Sequence, residues 1–518
     1  MPQLMTAEPP PRSGRASTSS ASSATTVCLS LISHTNVGKT TLARTLLRRD
    51  VGQVLDQEHV TVVAEAHCMV EAEGCRLLLW DTPGFGNTAP LLKRLRRSHQ
   101  PVRAFLLETW DRVRNRSLWC SQQAVRNVQA DADVVLYLID ASQKPEDAAF
   151  VGMEMEILQW MGKPVVVLLN QTGPPRPRLD EQIEEEGWRQ HLRRFSIVRE
   201  VLGLDAFARC WVQEHVLLDR IGPLVPTDKR AAFLQLKEAW QRKNALIFEQ
   251  SMTVLGRQLA ESVTDKETTS KETLLQRIGW GRRALHDEMD AAREALGQRL
   301  AERSVAASNE LIQLHELAGQ RKEHLEKAHE KNFSVPQAVN ESLWTAVGGV
   351  LTGAATGVLT DIKTGGLTLG GGAIVGAFLG GAGSYLLAKG YNLTRSAKDS
   401  VRWTEEHFAA QTETVLLFYL AVAHWGRGRG EWAEADHPAA WRETVATAVS
   451  AHRKEIDALW KRGPEGSMEE LASTAAALCR RLANDLLGAL FPQNVPDHTV
   501  SVVDSPSPPL EPHDSADP

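Results

Sequence analysis

Positive charge in excess is missing from this sequence: 58 Lys and Arg face 64 Asp and Glu, for a net charge of −6. Chains that mainly hold nucleic acid usually present a strongly basic face, so no nucleic-acid partner is expected. Cysteine is scarce too. The six cysteines, at positions 28, 68, 75, 120, 210 and 479, never fall in a C-x-x-C pair. That removes the spacing of a structural zinc site or a disulfide framework, and leaves a reducing cytoplasm as the simplest compartment. No apolar h-region opens the chain. Residues 1–25 are rich in Ser, Ala, Pro and Thr and read as a disordered leader. Residues 492–518, which include Asp504-Ser505-Pro506-Ser507-Pro508-Pro509, read as a disordered tail for the same compositional reason.

At 518 residues the chain exceeds what one hydrophobic core holds, and three textures divide it. In residues 26–222 short β-rich runs (Val27–Ile32, Val60–Val70, Arg76–Trp80, Val134–Ile139 and Pro164–Leu169) alternate with helical stretches. That alternation predicts an α/β domain with a mostly parallel sheet covered by helices on both faces. Residues 223–491 predict an all-α region with period 3.6. Phe233, Leu236 and Trp240 share one helical face, as do Phe248, Met252, Leu255 and Leu259, and then Leu285, Met289, Ala292 and Leu296. Inside that region lies the third texture, a Gly-rich apolar block at 343–388.

The chemistry begins at Ser33-His34-Thr35-Asn36-Val37-Gly38-Lys39-Thr40, which follows an apolar strand and precedes a helical pattern starting at Thr41. Strand, tight loop and helix N-terminus are what a phosphate-binding P-loop needs, because loop N–H groups and the helix dipole converge there. Lys39 would reach the β- and γ-phosphates and the Thr40 hydroxyl would ligate Mg²⁺. Gly38 removes a Cβ from the close approach. Ser33 replaces the motif's first glycine and tolerates positive φ less well. A second motif, Asp81-Thr82-Pro83-Gly84, ends the Arg76–Trp80 strand. A carboxylate there suits the Mg²⁺ shell, and the glycine N–H suits the γ-phosphate and its loss on hydrolysis.

With both motifs in order, the chain resembles the Era, EngA and TrmE group of bacterial GTPases over roughly residues 26–220. The resemblance implies a Ras-like G domain that binds GTP and GDP, hydrolyses GTP and holds nucleotide through Asn36, Val37, Gly38, Lys39, Thr40, Thr41, Asp81, Gly84, Asn170 and Gln171. It also implies that Lys39 and Thr61 act in catalysis, Thr61 as the switch I threonine, and that Thr40, Thr61 and Asp81 serve Mg²⁺. Phe85 stands where Ras-type enzymes carry a water-orienting Gln. In some relatives K⁺ held by the P-loop Asn supplies the missing charge, which makes Asn36 a candidate K⁺ ligand. In the base-reading segment Asn170 matches N-K-x-D, but Gln171 replaces Lys and Gly173 replaces the Asp that accepts from guanine. That leaves the base less specified than the phosphates. Asp180 and Glu181 follow closely enough to substitute.

Two features lie outside the motifs. Residues 91–132 carry Lys93, Arg94, Arg96, Arg97, Arg103, Arg112, Arg114 and Arg116, either a solvated face or a switch-linked docking surface. In the Gly-rich block, Gly349, Gly353 and Gly357 and then Gly372, Gly376, Gly380 and Ser384 recur every fourth residue. Helices with such stripes pack backbone to backbone, either as a glycine-zipper hairpin at the inner membrane or as a buried hairpin among the other helices. Inner-membrane lipid or protein, and self-association through the helical region, are the candidate partners besides nucleotide. The expected function is a GTP-hydrolysing switch, the alternative a nucleotide-binding scaffold with negligible turnover.

Overall fold

The computed structural model describes residues 25–48, 51, 64–86, 88–97, 99–107, 116–170, 178–204, 211–268, 282–316, 393–396, 400–424, 439–463 and 465–491. Thr61, Gln171, Gly173, the Gly-rich block 343–388 and both terminal segments lie outside them.

Six strands build the main sheet: β1 (Thr26–Ser33), β2 (Glu65–Ala72), β3 (Cys75–Asp81), β4 (Val134–Asp140), β5 (Val165–Asn170) and β6 (Val198–Gly203). Their order is β2-β3-β1-β4-β5-β6. All pairings are parallel except the edge hairpin β2–β3. Glu73 and Gly74 turn that hairpin with φ of 49° and 76°, the two left-handed residues that match the twist of the flanking strands. β1, β4 and β5 are buried almost throughout, which is why their sequences read as continuous apolar runs.

Side chains on alternate faces of these strands feed two cores. One face packs α2 (Thr88–Leu95), α3 (Pro101–Leu107), α4 (Arg116–Ala130), α5 (Ala149–Met161) and α6 (Arg178–Leu192) through Leu91, Phe105, Val125, Met155 and Trp188. The other packs α1 (Lys39–Leu47), α7 (Trp211–Ile221) and the beginning of α8 (Arg230–Thr264) through Leu42, Leu46, Leu217, Phe233, Leu236 and Trp240. This is the mostly parallel sheet with helices on both faces that the alternation predicted. β6, whose Val198-Arg199-Glu200-Val201 carries two charges, was not among the expected strands.

The helical region follows. The two apolar faces read on α8 serve different cores. Phe233, Leu236 and Trp240 cover the sheet, whereas Phe248, Met252, Leu255 and Leu259 enter a third core. That core is completed by α9 (Arg282–Leu314), α10 (Glu405–Ala423), α11 (Ala439–Ala451), α12 (Arg453–Arg462) and α13 (Met468–Leu490). A Cβ on Gly256 of α8 would lie 2.4 Å from the Ala476 backbone nitrogen of α13, so these two helices touch at their backbones. A small antiparallel sheet, β7 (Glu267–Thr268), β9 (Ser400–Trp403) and β8 (Leu393–Ser396), joins the helices. Among the described residues no helix is long and apolar enough to cross a membrane.

Candidate nucleotide-binding site

β1 lies between β3 and β4, so the chain leaves it in one direction and returns on the other side. The crevice at such a reversal, at the carboxyl ends of the strands, is where open α/β sheets bind ligands. Residues 33–40 fill it. Asn36 and Gly38 take the positive φ values of the loop, 63° and 91°, conformations that Asn and Gly tolerate best. Ser33 is the last residue of β1 and is absent from the left-handed set among the described residues, so the missing first glycine costs no strain. Its hydroxyl has a use instead. Lys39 Nζ donates to Ser33 Oγ at 2.9 Å and approaches the His34 carbonyl at 3.4 Å.

Lys39 begins α1 and is buried. Burial pushes its ammonium below the ordinary lysine range, with Asp81 and Glu154 opposing that shift. Asp81 ends β3, and its Oδ2 accepts from the Thr40 hydroxyl at 2.6 Å. Its other oxygen, Oδ1, is buried with no hydrogen-bond partner. Burial raises the Asp81 carboxyl, and Thr40 and Lys39 pull it back. Thr82 donates to the Leu31 carbonyl at 2.6 Å and so pins the second motif to β1.

The second motif then runs against the first. Phe85 N donates to Ser33 O at 2.9 Å, and Thr35 N donates to Phe85 O at 3.2 Å. A Cβ on Gly84 would sit 2.9 Å from Lys39 Nζ and 3.1 Å from the Thr35 backbone, so only glycine fits the approach without displacement. The Phe85 side chain is turned fully into the core beside Ile32 and Leu91. At this position the backbone, not the side chain, faces the P-loop. Asn170, at the end of β5, donates from Nδ2 to the Val37 carbonyl at 2.7 Å and braces the loop from the far side. Val37 and Thr41 are buried beneath the loop. Asp180 is exposed at the start of α6.

One group at this site escaped the sequence reading. Glu154 of α5 is fully buried and accepts from Thr88 Oγ1 at 2.8 Å and Tyr137 OH at 2.6 Å, and pairs with His34 Nδ1 at 2.7 Å. Burial and this carboxylate push the Tyr137 phenol well above its usual range. The signal was there: Glu154 sits on the apolar stripe Val151, Met155 and Leu158, where a charge needs partners to be kept.

The comparisons bear on the two halves separately. Residues 189–484, more than half of the chain, match the family model described as "Domain of unknown function (DUF3482)". The chain belongs to the DUF3482 family. Residues 29–171 match a second model, described as "50S ribosome-binding GTPase". That match supports GTP binding by the sheet domain of this DUF3482 chain. No curated protein matches the chain. Similar solved structures include an Aquifex aeolicus Era variant bound to GDP·AlF4⁻, at 18% identity over 39% of this chain and 57% of that one, TM-score 0.29. Another is Era in complex with MgGDPNP and a segment of 16S ribosomal RNA, at 16% identity over 39% and 57%, TM-score 0.30. NFeoB from S. thermophilus bound to GDP·AlF4⁻ and K⁺ is similar at 17% identity over 43% and 80%, TM-score 0.23. The DUF3482 chain thus spans 57% of the length of the Era structures it matches.

Proposed function

We propose that this chain binds GTP with Mg²⁺ and hydrolyses it to GDP and phosphate as a conformational switch. The convergence of Lys39, Thr40, Asp81 and Gly84 on one loop carries the reading. Thr40 and Asp81 form a hard-oxygen pair 2.6 Å apart, and the buried, unpartnered Asp81 Oδ1 is an acceptor that suits a hydrated cation. Thr40 would hold Mg²⁺ directly and Asp81 through water, with Thr61 as the switch I ligand. Held by these residues, Mg²⁺ would supply positive charge to offset the negative charge that develops on the phosphates. Residues 36–41 would cradle the phosphates on the α1 N-terminus. Burial disfavours the charge on Lys39, and phosphate oxygens around it would favour that charge. Asn170 would anchor the base while bracing Val37, and Gln171 would cover it.

Single-turnover hydrolysis tests this. Lys39→Ala is expected to lower the rate by about 100-fold or more, the scale of removing one preorganised charge from a transition state. Equal rates in the two proteins would leave the alternative, a nucleotide-binding scaffold with negligible turnover. The buried Phe85 favours that alternative, since its side chain offers nothing to a water. The same assay in KCl and NaCl addresses K⁺ at Asn36: faster turnover in KCl is expected, and equal rates remove the ion. Membrane docking we assign to residues 343–388 alone. Deleting them is expected to move the protein from the membrane to the soluble fraction, and full-length protein found only in the soluble fraction overturns that assignment.

A further inference from the structure

We propose that Glu154 is a positioning residue for GTP hydrolysis, its buried carboxylate clamping the P-loop and the start of α2 into one arrangement. The inference rests on the hydrolytic reading above. A fully buried carboxylate is costly unless several donors satisfy it, and an apolar side chain would fill the same space more cheaply. Glu154 has three donors within 2.6–2.8 Å, each from a different element. Tyr137 comes from the rigid central strand β4, His34 from the first residue of the loop beyond β1, and Thr88 from the first turn of α2. His34 meets the carboxylate through Nδ1, and its tautomer with the proton on that nitrogen is the one that donates there. The ring is held further by Phe150, one turn before Glu154, with centroids 4.5 Å apart.

The placement of these donors gives the clamp its meaning. His34 supplies a carbonyl to Lys39 and bridges to Phe85, and Thr88 lies four residues after Gly84. Glu154 therefore grips both sides of the short segment Gly84-Phe85-Gly86. With the Phe85 side chain in the core, that segment's backbone is what remains to face the γ-phosphate and the attacking water. Its position is set by how α2 is tied to the P-loop. Of the three bonds, the one to Thr88 is the bond that movement of the segment would break. Hydrogen bonds to a buried carboxylate are directional, so the segment's place is fixed while the Thr88 bond is made.

The test uses the full chain with Glu154→Gln, Thr88→Val and the double variant, read by kcat, KM, nucleotide affinity and thermal melting. Glu154→Gln keeps the shape but exchanges one acceptor for a donor. Its kcat is expected to fall about 10-fold or more, as misplacement near a reacting centre does, while nucleotide Kd moves by less than about threefold, under 1 kcal/mol. Thr88→Val should do the same, and the double variant should be no worse than either single change, because both break one clamp. An unchanged kcat overturns the proposal, and so does a parallel loss of kcat, affinity and melting temperature, which would mark a merely structural group. Hydrogen exchange at residues 84–95 with GDP and with GMPPNP separates this failure from that of the hydrolytic reading. A wild type that binds but does not turn over, yet shows a nucleotide-dependent difference that Glu154→Gln erases, keeps the clamp and sinks hydrolysis. The same difference in both proteins overturns the clamp, and no difference in the wild type sinks both.

Discussion

Ser33 of the first motif and Gly84 of the second differ in whether a side chain fits there. At Ser33 the side chain is tolerated because the residue ends a strand, and its hydroxyl takes a bond from Lys39. At Gly84 a side chain has no room: a methyl group would meet Lys39 Nζ, which can swing away, and the Thr35 backbone at 3.1 Å, which can move only by shifting the P-loop. Gly84→Ala is therefore expected to lower kcat by about 10-fold or more while leaving the melting temperature nearly unchanged. Stopped-flow measurement of phosphate release, beside a melt, checks it, and a wild-type rate would show that the loop accommodates the methyl group freely. Both residues were legible in the sequence by type and spacing. Their different tolerance was not, because it depends on φ at one and on a neighbour from another strand at the other.

At the scale of elements, α10 shows how a helix can be buried on all sides and still carry titratable groups. Its stripe of Phe408, Val415, Leu416, Tyr419 and Leu420 lies in the helical core. His407, in its first turn, is buried and stacks on Trp403 of β9 with ring centroids 4.2 Å apart. Burial lowers its pKa from 6.5 to about 4. The folded state thus keeps the imidazole neutral where the unfolded chain would protonate it. Stability should be level above pH 6.5, fall as pH drops from 6.5 towards 4, and level again below, by at most about 3 kcal/mol from this group. Urea unfolding at pH 7 and pH 5 on wild type and His407→Phe checks the sign, with the variant expected to lose less on acidification. His452 works the other way. Bonds to Asp485 and Glu455 raise its pKa, so its contribution is present at acid pH and fades as pH rises through that raised value. The period-3.6 pattern announced the helices, but not which histidine would be sealed and which paired, since both outcomes depend on other helices.

For the whole molecule, α8 decides how the two halves relate. Its beginning is part of the sheet domain's core and its end is part of the helical core. Arg48, at the end of the P-loop helix, adds a polar joint: it donates to Asn244 of α8, lies 4.0 Å from Glu214 of α7 and sits over the Trp240 ring. Buried contacts therefore connect α1 to α8. A fragment ending at residue 222 would lack Phe233, Leu236 and Trp240, which complete the core that holds Leu29, Leu31, Leu77 and Leu79. We expect that fragment to aggregate, and one extended to residue 250 to stay soluble and to melt cooperatively. Soluble yield and circular dichroism on both decide it, and equal behaviour would mean that α8 is dispensable to the sheet domain.

Those parts of the protein that depend on local order can be read along the chain. Apolar runs ending in Asn36–Thr40 and Asp81–Gly84 specify a phosphate loop and a partner motif, because a strand, a tight turn and a helix start lie within one short stretch of chain. Other features arise only from packing between distant segments. Phe85 faces the core rather than the site, one helix shares its two apolar faces between two cores, and Glu154 joins His34, Thr88 and Tyr137. These are contacts between residues far apart in the chain, and a repeat along one segment specifies which side of it is buried but not what it is buried against.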